Sequence, residues 1–233
     1  MQLSNRLKKL ADMVSAGNRL ADIGTDHGFV PIYLVENKKI PSAIAMDIGT
    51  GPLKRATEHV AECGLSHKIE TRLSNGLEKL TPGEADTVLI AGMGGNLIVD
   101  ILEADREKTH SVSELVLSPH TDWDVVRRYL ITHDFNIIGE DMLEEEGKYY
   151  IFLKAVPEYT TPWNDVEYRY GKHLLQNHHP VLKAYLQKQL ATYEKLIGHI
   201  DNCQANKKEE LAAQWQKEVE EITGLLNKGG FLG

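Results

Sequence analysis

An α/β fold is predicted: a parallel sheet covered by helices on both faces, with a C-terminal α-helical hairpin of coiled-coil-like type set apart from it. Three features of the chain predict this. Short apolar runs alternate with helical patterns through residues 1–157, as a parallel sheet with crossover helices requires. The first apolar run ends in a glycine-bearing turn that leads directly into a helix, in ADIGTDHGFVPIYL at residues 21–34. Beyond Pro157 no strand candidate appears, and apolar residues recur at three- and four-residue spacing instead. Residues 1–157 are therefore expected to form a ligand-binding sheet domain and residues 158–233 a helical hairpin domain.

The chain opens with a helix over residues 3–14, in which Leu3, Leu7, Leu10, Ala11 and Val14 share one face and Gly17 ends the run. Arg19–Ile23 is the first strand. Val30–Glu36 follows as a helix, with Pro31 tolerated in its opening turn. SAIAMDI at 42–48 is the second strand, closing on Asp47. Gly51–Cys63 reads as a helix stopped by Gly64, and Lys68–Leu73 as the third strand. A fourth strand lies in ADTVLIAGMGG at 85–95, running into a glycine-rich turn and a helix over Asn96–Glu103. ELVLSPH at 114–120 is the fifth strand, and Trp123–Thr132 the helix after it. Phe135–Leu143 and Tyr149–Val156, separated by an acidic glycine turn at 144–147, read as an antiparallel hairpin at the sheet edge. Tyr159–Pro162 is a linker, residues 164–176 a short helix, and Pro180 starts a long one. Leu182, Leu186, Leu190, Tyr193, Ile197 and Ile200 line the apolar face of that long helix, and Leu211, Trp215, Ile222 and Leu226 that of a second. Asn202–Lys208 is the polar break between them, and the glycine-rich residues 229–233 form a frayed tail.

Hydrophobic residues make up 42% of the chain and charged residues 26%, which is enough apolar material for a sizeable core. No apolar run approaches the roughly 20 residues of a bilayer span. The amphipathic N-terminus lacks the apolar segment of a secretion signal, so a cytoplasmic protein without membrane contact is expected. Cys63 and Cys203 stand far apart in no ligand-spaced pair; they read as free thiols, and no metal is expected. The net charge of −8 arises outside residues 160–233, which carry nine Lys/Arg and nine Asp/Glu. That total argues mildly against a phosphate-rich partner while leaving room for local basic patches.

In sheets of this kind ligands bind outside the carboxyl ends of the strands. The ends at Asp22, Asp47, Leu73, Ala91–Gly95 and Ser118–His120 should therefore border one crevice. Glycines in the first turn bring backbone N–H groups and a helix N-terminus close to a polar ligand. A dinucleotide site needs G-x-G-x-x-G so that the pyrophosphate can approach. Here the order is Gly24-Thr25-Asp26-His27-Gly28, with Asp26 where the middle glycine would stand and Asp22 just before. Two carboxylates repel a diphosphate and attract an amine or a sulfonium. S-adenosyl-L-methionine (SAM), cationic at both groups and free of phosphate, fits that charge. Its contacts are expected from Asp22, Gly24, Thr25 and Gly28 in the first turn, and from Asp47 and Ile48 at the second strand end. Asn75 and Gly76 at the third end and Ala91 at the fourth complete the cofactor set. Asp47 is placed to accept both ribose hydroxyls, and Asn75 to hydrogen-bond the adenine edge. Each of these also has a purely structural reading: a strand-end Asp is often a helix N-cap, Asn-Gly an ordinary turn, and Gly92, Gly94 and Gly95 a tight bend.

DIGTDHGFVPIYL, the IAGMGG segment at 90–95, LSP at 117–119 and the trailing helical hairpin resemble the TrmK family. Its members are bacterial tRNA (adenine-22-N1)-methyltransferases, class I SAM-dependent enzymes with a C-terminal coiled-coil-like domain. The similarity runs from about Leu3 onward and is strong over Asp22–Leu34 and Ala91–Gly95, whereas in the hairpin only the pattern matches. The resemblance implies a Rossmann-like class I methyltransferase sheet, SAM as cofactor, tRNA as partner and methyl transfer to N1 of an adenine. The chain departs from the family at Asn75-Gly76, where Asp-Gly is usual, and at Ser118 and His120 around Pro119, where Gln and Asn are usual.

Adenine N1 carries an in-plane lone pair and attacks without losing a proton. Such a reaction needs in-line placement and stabilisation of charge, with no strong base. Asp26, projecting from the turn, is the candidate for charge stabilisation. Amine-methylating enzymes often carry Asn/Asp-Pro-Pro-Tyr/Phe after the fourth strand, where this chain has Ala91-Gly92-Met93-Gly94 and no side chain to hold an exocyclic amine. Gly92, Met93 and His27 complete the catalytic candidates, although His27 has a second reading as a packed residue under the turn. Tyr149 and Tyr150 are candidates for stacking on a base, with core packing expected for one of the two since strand neighbours face opposite sides. The lysine-bearing hairpin either grips RNA or serves as a dimerisation or self-packing hairpin with a solvated charged face, so an oligomer is one of its open alternatives. Methylation of a small molecule or protein, and a non-catalytic nucleotide-binding scaffold, are the alternative functions.

Overall fold

The computed structural model describes residues 2–199 and 205–228. Seven strands form one sheet: β1 (Leu20–Ile23), β2 (Ala43–Asp47), β3 (Ile69–Leu73), β4 (Thr87–Ala91), β5 (Glu114–Ser118), β6 (Phe135–Glu145) and β7 (Lys148–Pro157). Their order across the sheet is β3-β2-β1-β4-β5-β7-β6. The first five run parallel, and β7 is antiparallel to both β5 and β6. The expected hairpin is present, but its second strand lies inside the sheet against β5 and only β6 forms the edge. Composition explains the choice. Ile151, Phe152, Leu153 and Ala155 of β7 are fully buried, whereas β6 carries the acidic residues that suit an edge strand.

Helices α1 (Asn5–Met13), α2 (Phe29–Glu36) and α3 (Thr50–Glu62) cover one face of the sheet. They contribute Leu10, Ala11, Ile32, Val35 and Val60 to a core layer that also takes Leu20, Ala45, Leu89, Val116 and Phe152 from the strands. Side chains alternate faces along a strand, so Asp22, Asp47 and Ala91 point to this same side, and Tyr150 packs against the layer. Tyr149 therefore faces the other way. Right-handed crossovers carry α4 (Gly95–Ala104), α5 (Arg106–Ser111) and α6 (Trp123–Thr132) to the opposite face, where α4 and α6 pack together. The short α5 has no counterpart in the sequence reading, which ended its helix at Glu103.

The chain divides into two compact units, Met1–Gly171 and Lys172–Gly233, so the boundary falls later than the expected one at Pro157. The reason is a buried ion pair. Arg127 on α6 donates from Nε to Glu140 on β6 at 2.7 Å with neither side chain exposed, and its Nη1 donates to the carbonyls of Tyr168 and Arg169. Those carbonyls belong to or flank α7 (Asp165–Tyr170), which is thereby fastened to the first unit. The expected helix over 164–176 is accordingly two, α7 and α8 (Lys172–Gln176), broken at Gly171. A Cβ there would approach Glu140 and Arg127 within 3 Å, so only glycine lets the chain pass the pair.

In the second unit α9 (Pro180–Gly198) begins at the expected proline and packs on α10 (Ala205–Lys228). Burial concentrates on Leu182 and Leu186 near the start of α9 and on Ile222 and Leu226 near the end of α10, as an antiparallel pair requires. Residues 205–208, assigned to the polar break, are helical within α10. Ile200, Cys203 and the tail at 229–233 lie outside the described residues; Cys63 is an exposed free thiol. Among the described residues no helix is long and apolar enough to cross a membrane, and no three His, Cys, Asp or Glu side chains cluster as a metal site.

Candidate active site

The first loop is pinned to its neighbour strand before it reaches any ligand. The N–H groups of Gly24 and Thr25 both donate to the Met46 carbonyl, at 2.8 and 2.9 Å. Gly24 takes φ +76° and Gly28 φ +68°, the left-handed region in which a side chain is strained, and α2 starts directly after Gly28. Beneath α1 this loop and the ends of β1 and β4 enclose a cavity of about 350 Å³. Asp22, Gly24, Thr25, Asp26 and His27 line it from the first loop, and Ala91 and Gly92 from the end of β4. Seven of the residues singled out in the sequence thus meet at one cavity.

Asp22 dominates its electrostatics. Only 7% of the residue is exposed, and no lysine or arginine pairs with it among the described residues. Burial pushes its pKa up to about 6; the Thr25 side chain opposes that rise and the charge of Asp47 adds to it. Thr25 Oγ1, Ser118 Oγ and His27 Nδ1 are buried with no hydrogen-bond partner. Leaving such groups unmatched costs stability unless a ligand completes them.

Asp26 differs. Its side chain is 60% exposed and accepts from Arg55 Nη2 of α3 at 2.7 Å, with His27 Nε2 at 3.5 Å. One turn further along α3, His59 Nδ1 donates to the His27 carbonyl at 3.0 Å, and the rings of His27, Phe29 and His59 stack at 5.0–5.6 Å. The α3 face thus braces the two loop residues, a role for Arg55 and His59 that sequence reasoning missed. Their spacing of four on one helix face was the available signal.

At the second strand end Asp47 Oδ1 accepts from the Gly49 N–H at 2.6 Å, and the adjacent Ile48 is 70% exposed. Asn75 and Gly76 are not in the first cavity. They line a second hollow of about 330 Å³ with Leu97, Asp100 and Ile101, and Asn75 Nδ2 donates to Glu78. Met93 does not line the first cavity either: its Cε lies where a Cβ on Gly24 would project. Of the glycines in that turn, Gly92 opens to the cavity, whereas a Cβ on Gly95 would strike the Asp122 and Thr121 carbonyl oxygens at 2.5 and 2.7 Å. Gly95 is there for packing. The first cavity is completed by Arg6, Leu7 and Leu10 of α1 and by His120 after β5.

Fold and site together define a class: a Rossmann-like methyltransferase domain. Residues 3–153 match the family model described as a methyltransferase domain. The tRNA (adenine(22)-N(1))-methyltransferase of Bacillus subtilis is 41% identical over 155 residues, a stretch spanning 66% of this chain and 65% of that enzyme, somewhat under two thirds of its length. The crystal structure of the B. subtilis M1A22 tRNA methyltransferase TrmK superposes with a TM-score of 0.85 at 31% identity, covering 97% of this chain and 99% of that one. A putative tRNA (m1A22) methyltransferase from Streptococcus pneumoniae, solved in complex with SAM, gives a TM-score of 0.87 at 34% identity over 97% and 100% of the two chains. The chain belongs to the TrmK family.

Proposed function

We propose that the protein is a cytoplasmic SAM-dependent methyltransferase that modifies N1 of adenine 22 in tRNA. The observation that carries the reading is Asp22, a buried carboxylate without a counter-ion among the described residues, which lines a glycine-bearing cavity beside the unpartnered Thr25 hydroxyl. Such a site suits an ammonium and repels a diphosphate. The residues fit SAM: Asp22 would hold its α-ammonium, the Asp47 carboxylate its ribose hydroxyls, and the exposed Ile48 one face of its purine. The Asn75 amide oxygen is left to accept from the adenine amino group, since its nitrogen is engaged by Glu78. When bound, SAM supplies an electrophilic methyl group on a sulfonium.

The protein's own part is placement and charge. Adenine N1 needs no general base, and no strong base is called for at the end of β4, where Ala91 and Gly92 line the cavity without polar side chains. Asp26, steadied by Arg55, contributes negative potential at the mouth as positive charge moves onto the base. His27 completes the loop wall. An adenine within folded tRNA must be unstacked to reach this cavity, at a cost of a few kcal/mol. The exposed Lys188, Lys195 and Lys217 of α9 and α10 support a role for the hairpin in gripping the RNA that offsets it. The net charge of −8 favours a second reading, methylation of a small molecule or protein.

Labelled-methyl transfer from SAM into a tRNA transcript, digested and read by mass spectrometry, separates the two. The expected product is N1-methyladenosine, lost when adenine 22 is replaced by guanine. Transfer to no tRNA overturns the proposal.

A further inference from the structure

Arg6 of α1 and His120 after β5 line the first cavity apart from the glycine loop, and Tyr150 of β7, just behind its lining, contacts both. Arg6 on α1 holds its guanidinium carbon 5.2 Å from the ring centre of Tyr150 on β7. His120, just beyond β5, meets the same ring edge-on at 5.9 Å, and its backbone N–H donates to the Met93 carbonyl at 2.8 Å. Arg6 and His120 both line the cavity that Asp22 faces. The other cations of α1 are engaged, Lys8 with Asp12 and Lys9 with Asp141, whereas Arg6 has no carboxylate partner among the described residues. A guanidinium left without an anion beside an aromatic ring, at the rim of a nucleoside site, suits a nucleotide: phosphate for the cation and a base for the ring.

We propose that Arg6, Tyr150 and His120 form the clamp for the target nucleotide, with Arg6 taking its phosphate and Tyr150 and His120 contacting the extruded base at the cavity mouth. The inference rests on the tRNA reading of this site. Burial, and then the neighbouring Arg6 and Lys148, hold the His120 pKa below its ordinary value. A neutral imidazole adds no third positive charge where the base becomes cationic. Tyr150, facing the α1 side, is the tyrosine of the 149–150 pair that this clamp uses.

The test is steady-state methylation of tRNA by full-length Arg6→Gln, Tyr150→Leu and Tyr150→Phe, with SAM affinity measured by calorimetry on each. Arg6→Gln is expected to raise KM for tRNA about tenfold and to reduce the slope of log KM against log salt by about one. Tyr150→Leu is expected to lower kcat/KM about tenfold, while Tyr150→Phe, which keeps the ring, stays near wild type. SAM affinity should hold within about twofold throughout. If the wild-type protein methylates no tRNA, the functional reading fails and the clamp with it. If the wild type is active and Arg6→Gln and Tyr150→Leu keep its KM, kcat and salt slope, the clamp alone is overturned. A parallel loss of SAM affinity also overturns it, by moving these residues into the cofactor site.

Discussion

Asp22 and Glu114 are both buried carboxylates, at opposite ends of the parallel strands, and they are furnished in opposite ways. Glu114, at the start of β5, accepts from the Ser15 N–H at 2.8 Å, the Ser15 hydroxyl at 2.6 Å and the Thr87 hydroxyl at 2.8 Å, and pairs with Lys154 at 2.9 Å. Burial pushes its pKa up, but the bonds from Ser15, Lys154 and Thr87 outweigh that and leave it below the ordinary value. Asp22 has no such set, and burial wins. At the amino end of β5 the protein completes its buried carboxylate; at the carboxyl ends it leaves several polar groups incomplete, with the Asp22 carboxylate where a cationic ligand belongs.

The signs follow. Glu114 adds stability above its unfolded pKa of 4.5, lost as pH falls through the lower folded value. For Asp22 the folded value of about 6 lies above the unfolded 3.8, so ligand-free stability falls as pH rises between them. Above pH 6 ionised Asp22 costs about 3 kcal/mol. The largest expected effect therefore comes from exchanging the two carboxylates for amides. Asp22→Asn weakens SAM binding about 100-fold in calorimetry yet raises the Tm of the ligand-free protein at pH 7.5. Glu114→Gln lowers Tm by about 5 °C and leaves SAM affinity unchanged. Both variants moving Tm in the same direction would erase the distinction.

Smaller effects sharpen the contrast within the site. Asp47→Ala should weaken SAM about tenfold, because one of its oxygens already serves Gly49. Asp26→Asn should lower kcat several-fold with little change in SAM affinity, since Arg55 and solvent already share its charge. Initial rates against SAM concentration distinguish the two, and a fall in affinity alone for Asp26→Asn would place it among the cofactor contacts.

What the sequence made legible was local. Asp22, Gly24, Gly28, Asp47 and Gly92 each stand at a strand end or in the turn that follows it, and the parallel sheet follows from the strand–helix alternation, whereas its strand order does not. Arg6 was invisible because it reaches the cavity through the packing of α1, more than a dozen residues before the first loop. Choosing between Tyr149 and Tyr150 required knowing which face of β7 meets α1. The unit boundary turned on Arg127 finding Glu140 across two elements, and no periodicity near Pro157 encodes that pairing.

The central claim is that Asp22 is kept without a counter-ion for a positively charged group. Calorimetry of SAM binding at pH 6, repeated in buffers of different ionisation enthalpy, counts the protons exchanged. The account predicts release of about half a proton by the wild-type protein, as a half-protonated Asp22 gives up its proton to meet the ammonium, and none by Asp22→Asn. Binding of SAM by the wild type with no proton released, or with the same release in Asp22→Asn, would contradict it.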